Sequence, residues 1–168
     1  VLKEYYPENY LQYEDYIGTY TATVDDYDEG PTSQSVTITP KVRGESYTLK
    51  SIGGFNFTLL YDKASGKLIL DSQSISPVSS SSYYFACAAG VEGYAHTELS
   101  LPSRLRSGLV NVTVKINPFT FYFADKASQE NTSLIIWAYS SDEYSTSGLM
   151  GYWSWYNSIL MVKENEGN

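Results

Sequence analysis

The feature that most constrains this chain is a two-residue alternation of apolar and polar side chains. It is clearest over residues 16–24, where Tyr20, Ala22 and Val24 fall on one side of an extended chain and threonines fall on the other. A strand with this pattern buries one face and exposes the other to water. The same alternation returns in several later segments, so it predicts an all-β protein.

The alternation predicts about ten short strands joined by tight turns. They cover residues 16–24, 35–42, 47–52, 55–61, 67–70, 83–89, 110–116, 119–123, 134–139 and 152–162. Many short strands favour an up-and-down barrel of about 8–10 antiparallel strands or a two-sheet sandwich. A barrel removes the exposed edges of a long meander, so we expect the barrel. Residues 1–15 should form a short helical lead-in, residues 91–108 a connection, and residues 163–168 a polar tail.

Two of the predicted turns share the sequence Asp-Lys-Ala-Ser, at residues 62–65 and 125–128. Each follows an aromatic alternating strand and precedes a Leu-Ile pair, so each predicts a hairpin. Gly66 can supply the positive φ that such a turn requires. A duplicated half-barrel would produce this repeat, but convergent turn chemistry is the favoured explanation.

The same alternation identifies the side chains that should point into the barrel. We expect one core that includes Tyr20, Val36, Ile38, Phe57, Leu59, Val112, Val114, Phe121, Ile136 and Met161.

The charge balance is acidic. The 168 residues include 19 Asp and Glu against 11 Lys and Arg, a net charge of −8. Such a surface repels nucleic-acid phosphates and anionic membranes, so neither is an expected partner. We expect one soluble, monomeric domain over residues 1–168. A barrel with its apolar face toward lipid would show the same alternation, but the polar end at residues 163–168 argues against it.

The usual side chains of catalysis are scarce. The chain has one histidine, His96, one cysteine, Cys87, and no phosphate-binding loop or nucleophile elbow. His96 with Glu98 would form a base and its orienting partner, but a lone histidine in a loop is more often a surface residue. Cys87 lies in an apolar strand and is expected to be a small buried hydrophobe. We therefore expect no enzyme and no cofactor.

Four carboxylates, Asp25, Asp26, Asp28 and Glu29, cluster in the first predicted turn. Oxygen ligands this dense can hold Ca²⁺. Their spacing does not follow the EF-hand pattern, and a solvated hairpin loop accounts for them. We expect no metal site.

Aromatic side chains exceed what a core needs, with 17 Tyr, 6 Phe and 3 Trp. The predicted ligand-binding residues are Tyr83, Tyr84, Tyr152, Trp153, Trp155, Tyr156 and Asn157. Aromatic rings beside polar groups suit flat amphipathic ligands such as sugars. The alternative is that the same rings fill the core and plug one end of the barrel, with Tyr5, Tyr6, Tyr10 and Tyr13 near the amino terminus.

Strict alternation sorts the aromatic residues of the last strand into two faces. Trp153 and Trp155 should share one face, and Tyr152 and Tyr156 should share the other. One pair should face the barrel interior while the other forms an exterior platform on which sugar rings stack. The polar partners expected near these rings are Asn157, Asp142 and Glu143.

The opening Gly18-Thr-Tyr20 resembles the Gly-x-Trp opening of lipocalin-like (calycin) barrels, with Tyr in place of Trp. Residues 16–23, Tyr-Ile-Gly-Thr-Tyr-Thr-Ala-Thr, and residues 61–68, Tyr-Asp-Lys-Ala-Ser-Gly-Lys-Leu, also resemble lipocalin-like domains of Bacteroidetes envelope lipoproteins. The resemblance implies a barrel open at one end and an exported protein. The arginine that many lipocalins carry near the last strand is absent, and Lys163 is the nearest cation.

The expected function is a non-catalytic module that binds a small ligand or carbohydrate outside the cytoplasm. It would act in the periplasm, at the outer-membrane surface or after secretion. The chain begins at Val1, so we expect a removed targeting segment, whose lipid anchor would be the sole route to a membrane. The alternative is a structural or adhesive domain of a cell-surface assembly with no small-molecule ligand.

Overall fold

The computed structural model describes residues 10–75, 83–89, 108–126, 128–141 and 148–164. In these ranges a 3₁₀ turn at Tyr13–Tyr16 precedes eleven β-strands, and every strand pairing is antiparallel. The strands are β1 Gly18–Asp26, β2 Gly30–Val42, β3 Ser46–Ile52, β4 Phe55–Asp62, β5 Lys67–Leu70, β6 Gln73–Ile75, β7 Tyr84–Ala89, β8 Leu109–Ile116, β9 Phe119–Asp125, β10 Leu134–Tyr139 and β11 Leu149–Lys163.

Eight of the strands close into a barrel in the order β1-β2-β3-β4-β5-β8-β9-β11, and β11 pairs back with β1. The closing register runs from Tyr20 opposite Lys163 to Asp26 opposite Tyr156. Closure satisfies the strand edges that an open meander would leave unpaired. The predicted all-β, lipocalin-like barrel is confirmed. Of the predicted helical lead-in, residues 1–9 lie outside the described residues, and the described part contains a 3₁₀ turn and no α-helix.

The barrel wall forks along β11. Residues 160–162 pair with β9, whereas residues 149–156 pair with β10, which continues to β7 and β6. β6, the last strand in this order, is linked to β4 by the side chain of Gln73. Gln73 Oε1 accepts a hydrogen bond from Thr58 N, and Gln73 Nε2 donates to Thr58 O, both at 2.9 Å. An amide side chain thus continues the ladder where main-chain pairing has ended.

Aromatic side chains fill the barrel between the described strands. Tyr20, Tyr47, Phe57, Phe121 and Phe123 are all buried. The ring of Phe121 meets those of Tyr20 and Phe123 edge-on, with centroids 5.8 Å and 5.4 Å apart. Edge-to-face contacts of this kind add to the stabilisation from burial alone. These rings therefore form part of the hydrophobic core inside the barrel.

The predicted core is confirmed except in β8. The side chains confirmed as buried are Tyr20, Val36, Ile38, Phe57, Leu59, Phe121, Ile136 and Met161. The prediction was wrong for Val112, which is only half-buried, and for Val114, which is 61% exposed. Asn111 faces inward instead and is 1% exposed. Its side-chain oxygen accepts a hydrogen bond from Leu68 N at 2.7 Å, and a polar group paired in this way can be buried at low cost.

The two Asp-Lys-Ala-Ser turns share local geometry but connect different partners. Gly66 N donates to Asp62 O, and Gln129 N donates to Asp125 O, both at 2.7 Å. Gly66 and Gln129 both have positive φ, 71° and 60°. The first turn joins the hairpin β4–β5, as predicted. The prediction of a hairpin at the second turn was wrong. β9 and β10 do not pair with each other, because both pair with β11.

Candidate functional site

Buried tyrosines close the end of the barrel at which the 3₁₀ turn lies. Tyr13 OH donates to Ser46 O at 2.6 Å, and Tyr47 OH donates to Tyr13 O at 2.9 Å. The two phenol rings stack with their centroids 4.4 Å apart. Each ring therefore fills space while its hydroxyl ties the lead-in to the strands. We call Tyr13, Tyr16, Tyr20, Tyr47 and Tyr61 the tyrosine plug.

The other members of the plug also bond to main-chain carbonyls. Tyr16 OH donates to Gly66 O at 2.6 Å, Tyr20 OH to Tyr16 O at 2.7 Å, and Tyr61 OH to Leu11 O at 2.6 Å. Burial raises the pKa values of Tyr16 and Tyr20 well above that of free tyrosine. These hydroxyls are therefore neutral donors at physiological pH, and their role is structural.

Lys163 completes this end of the barrel. Its Nζ donates to Asp15 O at 3.0 Å, so the last strand is tied to the 3₁₀ turn. A Cβ at Gly18 would lie 2.7 Å from Lys163 Cε, and Gly18 also has a φ of +152°. A side chain at this position would have to move the lysine chain aside, and the positive φ itself favours glycine. The lipocalin-like opening Gly18-Thr-Tyr20 lies directly under this cation.

The opposite end of the barrel carries aromatic rings on the face of β11 turned away from the main core. The Trp155 ring lies 5.2 Å from Tyr27 at 31° and 5.4 Å from Tyr152 at 85°. Tyr152 OH donates to both carboxylate oxygens of Asp28, at 3.0 and 3.1 Å. We call Tyr27, Asp28, Tyr152 and Trp155 the aromatic platform. Asp28, as acceptor of this bond, raises the pKa of Tyr152.

Two sets of contacts fix the position of the platform. A second buried cluster of Ala86, Ile135, Trp137 and Tyr139 supports Trp155. Tyr27 N donates to Trp155 O at 2.8 Å, which fixes the β1–β2 turn against β11. Tyr27 is 61% exposed and Tyr152 is 38% exposed. Tyr27 and Tyr152 are thus positioned by the fold while remaining exposed to solvent, and Trp155 lies half-buried beneath them.

The predicted grouping of the β11 aromatics was wrong. Strict alternation placed Trp153 beside Trp155. The structure places Tyr152 beside Trp155 instead, and Tyr156 is buried in the main core. The cause is a bulge, because Tyr152 and Ser154 pair with consecutive residues of β10 and leave Trp153 as an extra residue between them. An extra residue inverts the alternation beyond it.

A family model described as a domain of unknown function, DUF4987, matches residues 1–137. The chain belongs to the DUF4987 family. The match includes Tyr27 and Asp28 of the platform, whereas Tyr152 and Trp155 on β11 lie beyond it. No curated protein and no solved structure matches the chain.

A second, smaller aromatic group of the DUF4987 barrel includes two of the predicted ligand-binding residues. Trp153 is 49% exposed, and its ring lies 5.1 Å from buried Phe85 and 6.2 Å from exposed Tyr83. Tyr84 is also exposed but follows Tyr83 in the chain, so it points to the other side of β7. The structure therefore divides the predicted site instead of assembling it at one place.

The remaining predicted residues have various positions in the DUF4987 barrel. Tyr156 is buried, and its hydroxyl lies against Gly53 in the β3–β4 turn. Asn157 is half-buried, and its carbonyl accepts a hydrogen bond from Asn131 Nδ2 at 3.1 Å. Cys87 is buried as predicted, and burial raises the pKa of its thiol to about 12. The candidates outside the described residues are Tyr5, Tyr6, His96, Glu98, Asp142 and Glu143.

The acidic β1–β2 turn uses part of its charge internally. Asp26 Oδ1 accepts hydrogen bonds from Asp28 N at 2.8 Å and Glu29 N at 3.1 Å. Among the described residues no group of three or more His, Cys, Asp or Glu side chains is arranged to hold a metal. The sequence analysis treated the β1–β2 turn as a solvated loop and did not include Tyr27 or Asp28 among the binding residues. A tyrosine among four carboxylates in a predicted turn was a signal that could have identified them.

No helix in the described part of the chain is long and apolar enough to cross a membrane.

Proposed function

We propose that this domain is a non-catalytic carbohydrate-binding module and that the aromatic platform is its binding surface. The observation that carries the proposal is the exposed Tyr27 ring, which lies 5.2 Å from Trp155 and tilts by only 31° from it. At this separation and tilt the two rings stack on each other, so the outer face of the exposed Tyr27 ring is the apolar surface available to the C–H face of a sugar ring. Asp28 adds carboxylate oxygens that accept hydrogen bonds from sugar hydroxyls.

The fold lowers the entropic cost of binding at this surface. Trp155 packs on the second buried cluster, and Tyr152 is held by Asp28, so these side chains need little further ordering when a ligand arrives. The contacts of the Tyr20, Phe121 and Phe123 rings with one another inside the barrel also support a binding surface on the outside. Ring stacking contributes about 0.5–1.5 kcal/mol per contact, so weak affinity is expected.

An extracytoplasmic location, in the periplasm, at the outer-membrane surface or after secretion, is part of this proposal. Its support is the resemblance of residues 16–23 and 61–68 to envelope lipoproteins. Fractionation of cells that make the full-length protein tests it, and recovery in the cytosol would contradict it.

The proposal is tested by screening neutral and acidic polysaccharides with the wild-type domain, with tryptophan fluorescence as the readout. Tyr27→Ala should weaken binding by about two- to tenfold, the worth of one stacking contact. Tyr84→Ala is the matched control, because Tyr84 is an exposed tyrosine outside the platform. A wild-type domain that binds none of the polysaccharides, or a Tyr27→Ala variant that binds as well as wild type, would overturn the proposal.

A structural or adhesive domain of a cell-surface assembly is the second candidate, and a different patch favours it. Val114 and Ile116 on β8 are both largely exposed. Aliphatic side chains of this kind suit a protein partner better than a sugar. A domain that binds no glycan but forms a complex that Val114→Asp disrupts would support this candidate.

A further inference from the structure

The barrel wall opens along the seam between β5 and β8, near the tyrosine plug. These strands share only two paired positions, Ile69 with Val110 and Leu70 with Leu109. Beyond them the side chain of Asn111 replaces the main chain as the partner of Leu68 N. β8 then continues to its end with no paired residue of β5 beside it.

A cavity of about 180 Å³ lies at this opening. Its lining includes Tyr16, Ser65, Lys67, Asn111 and Thr113. The volume corresponds to about six water molecules, well below that of a pocket for a drug-sized ligand. Only a small molecule fits there, and the cavity is separate from the aromatic platform at the other end of the barrel.

Lys67 gives the cavity a positive charge, and it forms no ion pair within 4 Å among the described residues, although Asp62 lies opposite it on β4. Its Nζ makes one long hydrogen bond, 3.4 Å to Asn111 O. By contrast, Arg43 and Lys126 are paired with carboxylates of the described chain. An ammonium group has three N–H donors, so Lys67 retains donors for a ligand.

The buried Asn111 side chain makes this a built site. Asn111 Oδ1 is used by Leu68 N, while Nδ2, which carries two hydrogens, donates one described bond of 3.3 Å to Tyr16 OH. Ser65 Oγ donates to Asp62 Oδ2 at 2.6 Å, which leaves its oxygen as an acceptor. A cation and an amide donor beside a hydroxyl acceptor match a carboxylate that carries a neighbouring hydroxyl.

We propose that this seam cavity binds a small hydroxycarboxylate through Lys67 and Asn111. The site is independent of the carbohydrate platform, so either proposal can fail without the other. Charge attraction in an otherwise acidic protein makes the affinity depend on ionic strength.

The test is a titration of the ¹⁵N-labelled domain with lactate, followed by NMR of the Asn111 side-chain amide and the Leu68 backbone amide. Both signals should shift and saturate, and sodium chloride at equal ionic strength should not reproduce the shifts. Lys67→Met should weaken binding by about tenfold or more, because a charge-assisted hydrogen bond is lost. Lys63→Met removes the same charge from the adjacent turn and should bind as wild type.

The proposal would be overturned if the shifts never saturate or if sodium chloride reproduces them. It would also be overturned if Lys67→Met and Lys63→Met lose equal amounts of lactate affinity. The Lys67 side-chain amine signals of the wild-type protein provide a second measurement that does not depend on any variant folding. They should move with the same affinity as the Asn111 amide, and a static Lys67 signal would contradict the assignment.

Discussion

Tyrosine side chains serve opposite purposes at the two ends of this barrel. In the plug, Tyr16 and Tyr47 are buried, and their hydroxyls bond to main-chain carbonyls of distant segments. In the platform, Tyr27 is exposed, and the Tyr152 hydroxyl bonds to the Asp28 carboxylate at the surface. The partner of the hydroxyl distinguishes the two uses. A main-chain acceptor marks a ring that holds the fold together, and an acidic side chain at the surface marks a ring available to a ligand.

The physical reason is the different cost of removing the hydroxyl in the two places. A buried carbonyl that loses its donor cannot turn to water, so the protein bears the full desolvation cost. A surface carboxylate that loses the same donor is solvated at once. Changes in the plug should therefore lower stability, whereas changes in the platform should affect binding.

High pH should produce the largest difference between the two ends. Burial raises the pKa values of Tyr16, Tyr20 and Tyr47, so the folded state keeps these phenols protonated. Their contribution to stability is complete below the unfolded pKa of about 10 and is lost as pH rises above it toward the folded pKa values. Phenolate absorbance and circular dichroism recorded together should show these tyrosines ionising in one cooperative step with unfolding. Gradual ionisation of every tyrosine without loss of β signal would show that the plug is open to solvent.

Removing a whole ring should separate the two ends next most clearly. Tyr47→Ala should lower the free energy of unfolding by about 3–5 kcal/mol, as expected when a large buried ring is lost. Tyr27→Ala should change it by less than about 0.5 kcal/mol, because Tyr27 is exposed. Urea denaturation of both variants measures the difference. Equal losses would mean that the platform is part of the structural core.

Removing only a hydroxyl sharpens the comparison. Tyr47→Phe keeps the ring but removes the hydroxyl that donates to Tyr13 O, so a loss of about 0.5–1.5 kcal/mol is expected in urea denaturation. Tyr152→Phe should leave stability within about 0.5 kcal/mol of wild type. The distinction between the ends would fail if Tyr152→Phe were the more destabilising of the two.

The smallest expected effect concerns the fork in the barrel wall. Gln73→Leu removes the two hydrogen bonds to Thr58 that join β6 to β4. Loss of this link should increase amide exchange at Thr58, while the main-chain pairs of β3 with β4 keep their protection. Hydrogen exchange by NMR checks this, and unchanged exchange at Thr58 would show that main-chain pairing alone holds this part of β4.

Residues whose neighbours are close in the chain were predicted well. The buried face of β1, with Tyr20 and Val24, follows from local alternation, and the turn at Gly66 follows from its own residues. The same reasoning failed at Val114, because the strands on both sides of β8 determine which face turns inward. The alternation alone would place Asn111 in solvent. Because its side-chain oxygen accepts a hydrogen bond from Leu68 N, burying the amide costs little free energy.

The candidate site was predicted only in part, for a related reason. The aromatic residues of β11 were identified, but Tyr27 and Asp28 were not. Asp28 and Tyr152 are 124 residues apart in the chain and meet only because β11 closes the barrel against β1. The bulge at Trp153 also comes from pairing with β10, so no pattern within β11 reveals it.

The sequence by itself determined where strands form and what the local turns look like, because alternation and turn chemistry act over a few neighbouring residues. The two Asp-Lys-Ala-Ser turns show the limit of that information, since they share their hydrogen bonds and differ in the strands they connect. Only the tertiary structure decided that β11 separates β9 from β10, which strand faces turn inward, and which aromatic rings reach the surface together. Strand pairing is a competition among all available edges, and its outcome depends on contacts between residues far apart in the chain.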